Sequence, residues 1–281
     1  MSGIFGIVHK HEAPVTAQSL DTVQAAMAAW GPDGHGRWHS DRVALGHLML
    51  HTTPESLDER QPYRHPADIE LVIVADARID NRDDLFAALG IPCVERQGMP
   101  DSALILHAYA AWGERCSEHL LSAFAFAVWD GRQRQLFCAR DHVGLKPFYY
   151  YDAPQCLVFA SDLKGVLACP HVPQRLHEAL LAAFLQQDTD FAEKTLSFFD
   201  GVCKLPPAHQ LRLNRSRCQL ESYWFIDDVP DVRLSSDAAY VEQFRALLRQ
   251  AVDCRLRAAF PVGSHLSGGL DSSLVTILAP T

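Results

Sequence analysis

The chain has no surplus of positive charge: 25 Lys and Arg residues stand, interspersed, against 34 Asp and Glu, for a net charge of -9. Binding to a polyanion needs a basic surface, so neither nucleic acid nor an anionic membrane is expected as a partner. No apolar run reaches the length of a bilayer span. The opening Met1-Ser2-Gly3-Ile4-Phe5-Gly6-Ile7-Val8 has no charged leader and no small-residue cleavage site, so no signal peptide is predicted. Cys-x-x-Cys pairs are also absent. The eight cysteines are scattered, several inside apolar runs such as Phe137-Cys138-Ala139. That pattern fits small buried thiols in a reduced, cytosolic protein better than a disulfide framework or a zinc site. The 14 histidines are dispersed as well, without ligand spacing beside a carboxylate.

With 48% hydrophobic and 21% charged residues, the 281-residue chain reads as an ordinary globular protein of one large or two modest domains. Short β-rich runs recur through the first 165 residues: 4–9, 43–50, 70–75, 123–129, 135–139, 147–151 and 157–160. Turn signals such as Trp30-Gly31-Pro32-Asp33-Gly34 and Trp129-Asp130-Gly131 bound them. Helical periods are predicted over 16–29, with Thr16 as cap, and over 101–112, 176–187 and 236–256. Close-set strands with helices grouped outside them predict an α+β fold of stacked antiparallel sheets flanked by helices. The runs 210–213 and 219–225 could pair as strands, and a domain boundary is expected between about 200 and 235.

The most informative string is Leu266-Ser267-Gly268-Gly269-Leu270-Asp271-Ser272-Ser273. Upstream, 259–266 reads as a short buried strand, and 274–278 as the start of a helix. A strand, a Gly/Ser turn and a helix start present backbone N–H groups and a positive dipole end to an anion. No Gly-Lys-Ser/Thr follows the glycines, so this is not a Walker A loop.

These motifs, taken in order, name a family. Met1-Ser2-Gly3-Ile4-Phe5-Gly6-Ile7, Gly31-Pro32-Asp33-Gly34, Leu45-Gly46-His47, the run Phe124 to Asp130, the run Ala139 to Tyr150, Phe159-Ala160-Ser161-Asp162-Leu163-Lys164, Leu205-Pro206-Pro207-Ala208 and the loop at 266–273 follow one another. Together they resemble the asparagine synthetase superfamily. The resemblance implies a class II glutamine amidotransferase domain with an N-terminal-nucleophile hydrolase αββα sandwich. An α/β ATP-pyrophosphatase domain should follow it. It also implies ATP-dependent adenylation of a carboxylate and capture by a nitrogen nucleophile. By the same resemblance ATP would sit on Leu266, Ser267, Gly268, Gly269, Asp271, Ser272 and Ser273, with Asp271 helping to hold Mg2+, whose hard charge prefers oxygen.

The front half departs from that family's glutaminase. Ser2 replaces the nucleophilic cysteine, and a hydroxyl is a far weaker nucleophile than a partly ionised thiol. Met49 stands where the family clamps the glutamine carboxylate with arginine. Asp76-Ala77-Arg78 replaces Asn-Gly-Glu; an anionic Asp76 would repel the oxyanion whose donor, when lost, costs about 3–4 kcal/mol of barrier. Asp101 remains at an acidic contact, but its neighbour is Ala103. The domain is therefore expected to be a scaffold without glutaminase activity. Outside that pocket, Arg140-Asp141 reads as a turn anchor and Lys146-Pro147 as part of a packed hairpin.

The layout that follows places an amidotransferase-like domain at 1–187, a connecting segment at 188–235 and the opening of the ATP-pyrophosphatase domain at 236–281. About fifty residues cannot bury enough surface for that second domain, so the chain is expected to be a fragment of a protein about twice as long, or to end in a remnant. The leading functional expectation is the β-lactam synthetase and lasso-peptide cyclase branch, which uses an amine within its substrate. A carboxylate substrate, there a precursor peptide, would be the partner. Glutamine-hydrolysing asparagine synthetase and a non-catalytic scaffold stay open, as do a second copy of the chain or another biosynthetic protein as partner.

Overall fold

The computed structural model describes residues 1–187, 195–215 and 217–279. They form two compact units, Met1–Leu50 with Arg60–Trp224, and His51–Glu59 with Phe225–Thr281. The first unit opens with β1 (Gly3–His9), α1 (Ala17–Ala26), β2 (Gly34–Ser40) and β3 (Val43–Met49). Next come β4 (Tyr63–His65), β5 (Asp68–Ile79), α2 (Arg82–Ala88), α3 (Cys93–Arg96) and α4 (Asp101–Trp112). The strands β6 (Ser122–Asp130), β7 (Gln135–Arg140), β8 (Tyr149–Asp152) and β9 (Cys156–Ala160) follow. The unit closes with α5 (Leu163–Leu167), α6 (Glu178–Leu185), β10 (Val202–Lys204), β11 (His209–Asn214) and β12 (Arg217–Ser222).

These strands build two six-stranded antiparallel sheets, ordered β10-β8-β9-β1-β3-β2 and β12-β11-β7-β6-β5-β4. Period-two alternation sends each strand's two faces into different cores. Ile4 and Val8 of β1, Val72 and Val74 of β5, and Ala125 and Ala127 of β6 meet between the sheets. Phe5 and Ile7 turn instead to α1 and α5. Phe124, Phe126 and Phe137 turn to α2 and α4 on the other side. The result is the expected αββα sandwich.

Local chemistry explains several boundaries. Thr16 caps α1, its side chain accepting the Ser19 amide, which satisfies an orphan donor of the first turn. Gly113, at φ 59, ends α4 in a conformation that glycine adopts without steric cost. Two glycines inside strands serve contact rather than turning: the Phe159 ring lies over Gly6, and the Phe5 ring over Gly46.

The segment read as a connector differs from expectation. Within 188–235, β10 pairs with β8 and β11 with β7, so both sheets take their last strands from it. The predicted pairing of its two strand-like runs is present as β11 with β12. The reason is lateral hydrogen bonding, because short strands without a sustained period are held by the edge they complete. Residues 188–194 of that segment lie outside the described residues.

The second unit holds a short 3-10 turn (Pro54–Leu57), α7 (Asp237–Arg255) and α8 (Leu270–Leu278). The Ser236 side chain accepts the Ala239 amide to start α7, and Arg257 pairs with Glu55 at 2.6 Å. The expected buried strand at 259–266 is not present. That stretch lacks regular structure, with Phe260 58% and Val262 57% exposed. A strand exists only by pairing, and the described residues of this unit include no strand to pair with.

Gly46→Ala should destabilise the first unit by about 1–3 kcal/mol, because its Cβ would fall 2.1 Å from Phe5 Cζ and Phe5 is fully buried. Urea unfolding would show a lower midpoint with an unchanged slope.

Candidate active site

At the end of β1 where the chain enters the sheet, Ser2 is buried at 8% exposure. Its Oγ accepts the Leu50 amide at 3.1 Å and donates to the Leu50 carbonyl at 3.3 Å. The same hydroxyl stands 4.0 Å from the Met49 thioether. Register explains the meeting: Gly3 of β1 lies opposite Leu48 of β3, so the residues flanking that pair arrive together. Sulfur is at most a weak acceptor, and this wall presents no cation to a carboxylate.

Asp76 is buried on β5, and its carboxylate accepts from Lys146 Nζ at 2.8 Å. Burial pushes the Asp76 carboxyl above its usual range, while Lys146, the N-terminal amine and the Ser2 amide pull it back. Lys146 is therefore more than a hairpin residue; it supplies the counter-charge to Asp76. The loop that carries it is anchored as anticipated. Asp141 accepts the Val143, Leu145 and Lys146 amides, and the Arg140 guanidinium donates to the Lys146, Gly144 and Leu205 carbonyls.

Ser2, Met49 and Asp76 thus come together; Ala77 and Asp101 do not join them. Ala77 turns to the opposite face of β5, against the core beneath α4. Arg78 shares the face of β5 that carries Asp76 and lies beside Asp80 at 3.6 Å. Asp101, in the first turn of α4, pairs with Arg82 and accepts the Ile79 amide at 3.2 Å. Both oxygens of that acid are engaged inside the protein. Arg82 and Lys146 were not legible as site residues, since each acts through a partner distant in sequence.

One further titratable group is buried near this end. His47 of β3 is 1% exposed, its Nε2 has no partner among the described residues, and burial lowers its pKa to about 4. The imidazole is neutral around pH 7 and lacks the proton that would balance an anion.

In the second unit, Gly268 adopts φ +83 and Gly269 precedes α8 as its cap. Ser272 and Ser273 hydroxyls donate to the Gly269 carbonyl at 3.2 and 2.8 Å, and Ser267 Oγ lies 3.0 Å from Ser272 Oγ. A Cβ at Gly268 would meet nothing within 4 Å, so backbone conformation rather than crowding requires glycine there. Leu266 is exposed, and Asp271 stands in the first turn of α8. The open loop, the free amides of a helix start and a single carboxylate fit a phosphate chain with its magnesium, which takes one or two carboxylates plus phosphate oxygens.

Comparison with known proteins agrees with this division. The family described as "Glutamine amidotransferase domain" matches residues 1–224, and "Asparagine synthase" matches 243–281. Glutamine-hydrolysing asparagine synthetase 3 of Bacillus subtilis is 31% identical over 99% of this chain and 45% of its own length. "Amidase chry2" of Gibberella zeae is 32% identical over 94% of the chain and 39% of its own. The chain spans about half the length of the curated relatives it matches. Among solved structures, the Bacillus subtilis glutamine phosphoribosylpyrophosphate amidotransferase superposes with a TM-score of 0.54 at 16% identity, over 79% of this chain and 49% of that one. That likeness is one of fold.

Replacing Lys146 with Met should leave Asp76 as an unpaired buried acid and cost about 3–5 kcal/mol at neutral pH. Without Lys146 the Asp76 pKa climbs further, so the penalty is complete above that raised value. It shrinks as falling pH neutralises the carboxyl. Urea unfolding of both proteins across pH should show the stability gap narrowing toward acid.

Proposed function

Because the chain belongs to the asparagine synthetase superfamily, we propose that it is the amidotransferase-like half, with the opening of the ATP-pyrophosphatase domain, of an amide-forming ligase that does not hydrolyse glutamine. The reading rests chiefly on one observation: Met49 and the Asp76–Lys146 ion pair occupy the walls around Ser2. A glutamine α-carboxylate entering there meets a thioether and a fixed carboxylate, and Lys146 is already committed to Asp76. Those two walls give the substrate no bidentate partner, and the developing oxyanion would face an anion rather than a donor.

Nitrogen must then come from an amine other than glutamine's amide. An amine carried by the acyl substrate meets that need, which favours intramolecular closure of a peptide, as in lasso-peptide cyclisation. In the whole protein the loop Ser267-Gly268-Gly269 with Ser272 and Ser273 would hold ATP phosphates, and Asp271 would contribute to Mg2+. ATP supplies activation of the carboxylate as a mixed anhydride with AMP. The chain's own contribution is to present backbone amides and hydroxyls to the departing pyrophosphate. The amidotransferase-like domain serves as a scaffold in this scheme.

Incubation of the chain with glutamine should release no glutamate above the buffer rate, and Ser2→Cys alone should not restore release because the pocket still lacks its clamp. Turnover typical of an amidotransferase in either protein would sink the reading. For the longer protein, pyrophosphate release should depend on a peptide carrying both the carboxylate and the amine, and added glutamine or ammonia should not substitute.

A further inference from the structure

At the far end of the sandwich from Ser2, three hairpin turns converge on a cavity of about 280 Å3. The turns are those joining β2 to β3, β4 to β5 and β6 to β7. One length of β3, seven residues or about 20 Å of strand, separates this cavity from the Ser2 pocket. Two of the turns hold a non-glycine residue in the left-handed region, Asp41 at φ 42 and Arg134 at φ 53. That conformation is uncommon for such residues, and here it places both side chains at the cavity.

Three guanidiniums line it: Arg42, Arg64 and Arg134. Arg42 is 7% exposed and has no carboxylate partner among the described residues. One Nη donates to the Arg134 carbonyl at 2.9 Å, the guanidinium carbon lies 5.5 Å from the Trp129 ring centre, and its Nε–H has no acceptor. A buried cation held by one carbonyl and an indole face, with Glu12 acting on it only through space, is under-compensated. Arg64 is exposed and donates only to the Ile69 carbonyl, at 3.4 and 3.3 Å. Arg134 reaches Glu12 at 3.3 Å, but both are more than half exposed, so that pair is weak and exchangeable.

We infer that this cavity binds a small aromatic carboxylate, its anion held by Arg64 and Arg134 above Arg42 and its ring against Trp38. Planar guanidiniums match a carboxylate two bonds at a time. Asp41 and Glu70 also line the cavity, and Glu12 faces Arg134 from outside it, so the three cations carry little surplus charge, which suits a monoanion better than a phosphate dianion. Half-buried Trp38 offers a flat apolar wall, and the volume is at the small end of ligand pockets. The site is independent of the ATP-dependent reading above, since it uses no residue of the Ser2 pocket or the phosphate loop.

The test is tryptophan fluorescence of the full chain titrated with benzoate, with inorganic phosphate in a parallel arm. Benzoate should give a saturable change, tighter than phosphate. Arg64→Ala and Arg134→Ala should each weaken it about tenfold, the loss of one charge-assisted contact. Both side chains are exposed, so unchanged thermal midpoints should confirm intact folding. No saturation at millimolar benzoate, affinity unchanged from the parent in both variants, or tighter binding of phosphate would each overturn the assignment.

Discussion

Burial of one face of each sheet against the other is the constraint on which the first unit depends. It demands strict alternation on the central strands, and β1, β3, β5, β6 and β7 all comply. It also leaves the two ends of the inter-sheet layer as the places where polar side chains can gather. Ser2, Met49 and Asp76 collect at one end, and Arg42, Arg64 and Arg134 at the other. Strand geometry thus sets the positions of both sites, and the residue types then decide what each can do.

At the Ser2 end the protein has accommodated charge rather than removed it. An acid nearly out of contact with water is tolerable only with a counter-charge and hydrogen bonds, and Lys146 with the Ser2 amide supplies them. Asp101 is treated alike by Arg82 and the Ile79 amide. Here Asp101 has both oxygens engaged, whereas Asp76 Oδ1 takes Lys146 and its buried Oδ2 has no hydrogen-bond partner among the described residues.

Much of the architecture was legible from pattern. The helix at 101–112 matched residue for residue, and the cap at Thr16 acts as its side chain suggests. Periodicity and capping are local, so a linear reading finds them. The strand β2 was not predicted: Gly34-His35-Gly36-Arg37-Trp38-His39-Ser40 alternates poorly because it is an edge strand with few buried positions. The short β4 and β10 escaped for the same reason, each being held by its neighbour rather than by its own composition. The stretch at 259–266 failed in the opposite sense, since its apolar residues had strand character without a strand to pair with.

Sequence alone determined the family and placed Ser2, Met49 and the Ser/Gly-rich string at 266–273, because these are facts of residue type and order. Tertiary structure alone decided that Lys146 neutralises Asp76, that Arg82 engages Asp101, and that three arginines from separate hairpins share one cavity. Those pairs are 70 and 19 residues apart along the chain, and they meet only because two sheets stack and a helix packs across one of them. Electrostatic partnership depends on distance in space, which a linear order of residues does not contain.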